Sequence, residues 1–131
     1  MADHGQILIN GKNFSQNIRG YNIVILDPKT GKVEDSKNFD TYASKEDVKQ
    51  MVQFIDGIKS GKIVCVAVAN EASLKLSKED GNIFSKIGAK ENLYGKFLWG
   101  HAIIGVKGAK YGEAIEALSD KPIEIYVTPH R

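Results

Sequence analysis

The seven residues Ile63 to Ala69 form an unbroken apolar run without a charge, and no other feature limits the fold as strongly. A half-buried strand alternates apolar and polar residues. A continuous apolar strand, bounded here by Gly61-Lys62 and Asn70-Glu71, is buried on both faces and lies inside a sheet. Ile18 to Leu26, rich in β-branched residues, reads as a second strand. It stops at Asp27-Pro28-Lys29-Thr30-Gly31, where proline presets φ for a turn and glycine supplies a positive φ at its end. Val33 to Phe39 then pairs back as a hairpin arm.

The remaining chain supplies the layers. Gln6 to Ile9 is strand-like and ends at the turn dipeptide Asn10-Gly11. Ser44, with Asp47 three residues on, opens a helix whose Val48, Met51, Val52, Ile55 and Ile58 fall on one stripe. Gly61 is placed as its C-cap. A shorter helix is expected over Lys78 to Ile87, ended by Gly88 and weakened by Gly81 inside it. Leu93 to Trp99 favours neither helix nor strand. Ala102 to Val106 reads as an inner strand, Lys107 to Gly112 as a glycine-rich loop, and Pro122 to Val127 as a closing strand with one wet face. Strands joined by hairpins, with two helices in the middle, predict an α+β domain: a mostly antiparallel sheet arrangement with helices packed on it. The 131 residues fit a single domain, 1–131, with no internal repeat or linker.

Charge and cysteine content narrow the function. Eighteen Lys and Arg face sixteen Asp and Glu, interspersed along the chain, so there is no basic stripe for nucleic acid. Cys65 is the only cysteine, which rules out an intrachain disulfide. The polar start and the absence of a long apolar stretch predict a chain made in the cytoplasm without a signal peptide or membrane insertion.

Chemistry-bearing patterns are scarce. Gly57-Ile58-Lys59-Ser60-Gly61-Lys62-Ile63 has the wrong glycine spacing for a P-loop and lies between helix and strand, the reverse of the required order. His4, His101 and His130 show no metal-ligand spacing. Cys65 sits in a buried strand, where a thiol behaves as a small hydrophobe. No nucleophile elbow occurs. Glu46, Asp47, Glu79 and Asp80 are helix-start acids, whereas Asn70-Glu71 ends the buried strand, a position where polar groups line sites. The expectation is a non-enzymatic chain with no cofactor and no metal.

Several segments in order carry a resemblance. They are Arg19 to Val33 (RGYNIVILDPKTGKV), Phe39-Asp40-Thr41-Tyr42, Met51 to Ile55, Gly61 to Ser73 (GKIVCVAVANEAS), and Ala102 to Gly108 (AIIGVKG). Together they resemble the interleukin-like EMT inducer domain, also called PANDER-like or GG. The resemblance implies two small β-sheets packed together with flanking helices. It also implies relatives among secreted cytokine-like proteins, hyaluronan-related cell-surface proteins, a non-catalytic sugar-binding stem domain of a glycosyltransferase, and pieces of phage tail-fibre-like proteins. In that stem domain an Arg before the first strand's Gly, an acid at the end of the buried strand, and a later Arg hold the sugar. Carried over, these fall on Arg19, on Asn70 with Glu71 following, and on Leu98; the neighbouring acid is replaced by Trp99.

The resulting expectation is a binding or structural module with Arg19, Asn70, Glu71, Trp99 and His101 lining one surface and a glycan as ligand. The setting expected for it is a bacteriophage particle, as a decoration or tail-fibre-type protein with capsid or tail proteins as partners and oligomerisation open. The alternative is a cytoplasmic carbohydrate-binding or protein-interaction domain, and a distant third is a small enzyme.

Overall fold

A computed structural model describes residues 5–126. A two-residue turn, with Asn10 and Gly11 both at positive φ, joins β1 (Leu8–Ile9) to β2 (Lys12–Asn13), as the hairpin dipeptide requires. The main sheet has five antiparallel strands in the order β4-β3-β5-β6-β7. They are β3 (Gly20–Leu26), β4 (Val33–Phe39), β5 (Ile63–Ala69), β6 (Gly100–Val106) and β7 (Ile115–Ser119). The apolar run is therefore the central strand, as its composition demands.

Both of its faces are covered. On the inner face Val64, Val66 and Val68 join Tyr21, Ile23 and Ile25 under α1 (Lys45–Asp56) and under α2 (Lys78–Gly81), which tightens directly into a 3-10 turn over Asn82–Ile87. On the outer face Val24, Leu26 and Ala67 pack against Ile7, Ile9 and Phe14 from the β1–β2 ribbon. Two antiparallel sheets and two helices make the α+β fold that the sequence predicts.

Four boundaries differ from expectation, each for a local reason. The first long strand begins at Gly20 rather than Ile18, because the buried Asn22 amide takes the N–H and C=O of Ile18 (3.2 and 2.9 Å) away from the ladder. Ser44 does cap α1 by accepting from Asp47 N–H, but the helix ends at Gly57, not Gly61. Lys107 stops it there, donating from Nζ to the carbonyls of Asp56 and Ile58 (2.8 and 2.7 Å); a cation at a helix C-terminus satisfies the last carbonyls and the dipole together. The late inner strand starts two residues early, at Gly100. Finally, no strand spans 122–126, and the last strand is Ile115–Ser119 instead; Val127 lies outside the described residues. The Ala-Ile-Glu-Ala-Leu stretch has helix-forming composition, but pairing with β6 overrides that weak preference.

Close approach fixes one glycine. A Cβ at Gly105 would overlap the carbonyl oxygen of Ile87, so β6 and the 3-10 turn meet backbone to backbone. Gly105→Ala is expected to lower stability by about 3 kcal/mol, as overpacked core positions do, read as a drop in the urea midpoint at unchanged slope.

Candidate functional site

One end of the main sheet gathers most of the residues singled out in the sequence. Gly20 pairs with Ala69, and Ala67 with Ala102. Continuing both registers sets Arg19, Asn70 and Trp99 side by side on three neighbouring strand ends. Their side chains then diverge.

The Arg19 guanidinium turns towards the edge strand. Its Nη2 lies 2.7 Å from Asp40 Oδ2 and its Nε 3.2 Å from Oδ1, and it stacks 4.5 Å from the Tyr42 ring centre. The hydrogen bond to Asp40 raises the Arg19 pKa, and the same bond holds the Asp40 carboxyl below its ordinary range. Arg19 is thus paired, though still exposed to solvent. Trp99 is half-buried against the inner core with Lys96 Nζ over its ring at 5.1 Å.

Glu71 lies inside, 2% exposed. Its carboxylate accepts from Ser73 N–H and Oγ–H (both 2.8 Å), Leu74 N–H (2.9 Å) and Leu98 N–H (2.8 Å). All its acceptor capacity is turned inward, and it presents no oxygen to a ligand. It positions Leu98, which adopts φ 64°, a left-handed conformation that a branched residue holds only when its surroundings impose it.

His101 is equally interior, 1% exposed. Its Nε2 stands 2.7 Å from Glu116 Oε2 and its Nδ1 2.7 Å from the Tyr21 hydroxyl. A carboxylate only accepts, so Nε2 carries the proton and Nδ1 accepts from Tyr21. Burial, and then the charges of Glu116 and Glu71, push the Tyr21 pKa well above the usual phenol value, which keeps it a donor. Burial alone would raise the Glu116 pKa; the His101 hydrogen bond and the N–H groups of Lys90 and Glu91 outweigh it and bring the net shift down. Sequence reading found His101 but neither Tyr21 nor Glu116. A strand-borne Tyr looks like core, and Glu116 looks like a surface acid until β7 places it beside the imidazole.

What remains open to solvent at this end is a cleft of about 230 Å³, walled by Asn70, Leu98, Gly100, Asp120, Lys121 and Ile123 and bordered by His101 and Val68. Asn70, at φ 61°, is exposed, and among the described residues its amide makes no hydrogen bond. The structure therefore brings Asn70 to the cleft, with His101 behind its wall. Arg19, Glu71 and Trp99 stand beside it, each engaged elsewhere. Leu98, 56% exposed, gives the cleft an apolar rim. Cys65, whose thiol pKa is pushed up to about 11 by burial, packs with the outer-face cluster and does not line the cleft. Among the described residues no three His, Cys, Asp or Glu side chains cluster as a metal site, and no helix is long and apolar enough to cross a membrane. His4 and His130 lie outside the described residues.

A small α+β domain with a partly polar cleft at the sheet end, and its buried acids used to shape loops, has the make-up of a binding module. The sequence model described as "Interleukin-like EMT inducer" matches residues 19–109, and the chain belongs to that family. It is 36% identical over 90 residues to the human "Cell migration-inducing and hyaluronan-binding protein", a stretch that is 69% of this chain and 7% of that protein. It is 29% identical over 92 residues to "Protein FAM3C" of Danio rerio (70% of this chain, 40% of the relative), and 35% identical over 71 residues to human "Protein FAM3D" (54% and 31%). The chain thus spans well under half the length of these relatives. All three are vertebrate proteins, and nothing in them supports the phage, tail or capsid setting expected from the sequence. The match ends before Glu116 and before the Asp120–Ile123 wall of the cleft.

Proposed function

We propose that this chain is a non-catalytic module that binds carbohydrate, seating one sugar residue of a glycan in the cleft at the end of β5 and β6. The observation carrying this reading is the cleft's make-up. An amide with no hydrogen-bond partner among the described residues (Asn70), a carboxylate (Asp120) and an ammonium group (Lys121) stand around the apolar walls of Leu98 and Ile123. Hydroxyls need donors and acceptors together, and a sugar's C–H face needs an apolar wall. The volume suits one ring better than a drug-sized ligand, which needs more than about 300 Å³. One relative is named for hyaluronan binding, which favours an acidic glycan that Lys121 would attract.

In this reading the cleft binds and does not catalyse. Every buried titratable group near the cleft is engaged in a structural hydrogen bond, and Tyr21 is held protonated. Glycan-array binding followed by calorimetric titration tests the proposal. Asn70→Gly keeps the left-handed backbone and removes the amide, so it is expected to weaken binding about tenfold, the worth of one or two hydrogen bonds. A wild-type chain that binds no glycan at millimolar concentration would sink the proposal.

A further inference from the structure

Two loops that meet at the cleft end of the sheet carry exposed apolar side chains and no acid. They are Ala72 to Leu76 and Leu93 to Trp99, and their only charged residues are Lys75 and Lys96. The second loop is a pair of tight turns. Lys96 N–H donates to Leu93 C=O and Trp99 N–H to Lys96 C=O, which sets Tyr94-Gly95 and then Phe97-Leu98 at the two apices. Turn apices ordinarily carry Gly, Pro, Asn, Asp or Ser. Each of these turns has a positive φ at its third residue, the type II pattern that favours glycine there. The first turn follows the rule with Gly95 (φ 75°), whereas the second holds Leu98 (φ 64°).

A buried carboxylate maintains that exception. Glu71 accepts Leu98 N–H on Oε1 and Leu74 N–H on Oε2 (2.8 and 2.9 Å), so one side chain ties the two loops together. The outcome is a group of large apolar side chains held out in water: Leu74, Tyr94, Phe97 and Leu98 are 50–56% exposed. Backbone strain imposed by the surroundings marks functional positions, and grouped exposed apolar side chains mark a contact surface.

Shape and charge identify the partner. These side chains project from turn apices, whereas the anchors of protein–protein contacts sit in desolvated pockets. Lysine is depleted at such contacts, but lysines beside apolar tips suit a lipid surface, where the tips enter the interface and the ammonium groups meet anionic headgroups. Across Thr41, whose C=O accepts Lys75 N–H, Asp40 is already neutralised by Arg19. We infer that the two loops dock peripherally on an anionic phospholipid bilayer, with Leu74, Tyr94, Phe97 and Leu98 in the headgroup boundary and Lys75 and Lys96 facing the lipid charges. This surface does not depend on the glycan reading, because bare phospholipid carries no sugar.

Co-sedimentation with vesicles tests the inference. The wild type is expected to bind vesicles of phosphatidylcholine and phosphatidylserine in equal parts, and to be released as salt is raised. Phe97→Ser and Leu74→Ser are each expected to weaken that binding about tenfold, the worth of burying about half of a large apolar side chain. Both side chains are exposed and neither lines the cleft, so their melting points should match the wild type. Lys96→Ala is expected to lose about fivefold on the mixed vesicles and nothing on pure phosphatidylcholine. Leu98→Gly separates presentation from packing: glycine relieves the turn, so this variant should melt no lower than the wild type while binding vesicles about tenfold more weakly. Asn70→Gly, which weakens glycan binding, should bind vesicles as the wild type does, so failure of the glycan reading and failure of this one are told apart. A wild type that stays in the supernatant with the mixed vesicles, a Phe97→Ser variant that binds them undiminished, or a Leu98→Gly variant that melts lower overturns the proposal; the first of these leaves the patch to a protein partner.

Discussion

Glu71→Ala is expected to cost this domain about 4 kcal/mol, a large part of the roughly 5–15 kcal/mol that holds a domain of this size together. The carboxylate is 2% exposed and accepts three backbone N–H groups and one hydroxyl. Charge-assisted hydrogen bonds contribute about 1.5–3 kcal/mol each, and donors left unpaired inside a protein add a desolvation cost. Alanine would strand the N–H groups of Ser73, Leu74 and Leu98 at once. It would also release Leu98 from its left-handed conformation, so the rim of the cleft would lose its shape together with the fold's stability. Thermal unfolding should move down by roughly 10–15 °C. Glu71→Gln keeps the acceptor oxygen but points an NH₂ group at donors, and should fall between the two. A melting point for Glu71→Ala within two or three degrees of wild type would contradict this account.

His101→Ala has a comparable effect through a different mechanism. The imidazole joins strands that are far apart in sequence: Tyr21 on β3 and Glu116 on β7 meet only through it. It also fills space against Phe84, edge to face at 5.8 Å. Its removal leaves a cavity, a buried hydroxyl without a partner and a carboxylate held by backbone N–H groups alone, about 3–5 kcal/mol together. The network has a pH signature as well. The folded Glu116 pKa lies below its ordinary value, so its contribution is fully present above the unfolded carboxylate range, about pH 4.3. It is lost as pH falls through the lowered folded value. Glu116→Gln should therefore lose stability at pH 7 and show a flatter decline on acidification. Asp40 and Asp27, both also lowered, account for the part of the decline that persists. Urea midpoints at pH 7 and about pH 3.5 measure it, and parallel acid limbs for wild type and Glu116→Gln would show that Glu116 carries no such linkage.

These two residues mark the limit of sequence reading. Glu71 stood out because it follows the buried strand, and that position suggested a ligand contact. The structure instead turns its oxygens onto the loops at 73–74 and 98. A carboxylate's direction depends on which donors the fold brings near, and Leu98 lies 27 residues away. His101 was visible as an isolated histidine ahead of a strand, but the Tyr21 hydroxyl is 80 residues away from it. Trp99 lacks the alternation that would say which face it takes, and register alone sends it to the core side of the sheet end.

Local chemistry by itself determined the elements: a strand from an unbroken apolar run, a helix from Ser44 and its stripe, turns at Asn10-Gly11 and Asp27 to Gly31. Each of these depends on residues within a few positions of one another, where steric and hydrogen-bond preferences act directly. Tertiary structure alone decided that β7 is a strand, that Glu116 meets His101, and that the cleft is closed by the chain after β7. Those outcomes follow from strand pairing between distant segments, and a one-residue slip in that pairing would have turned Glu116 to the opposite face.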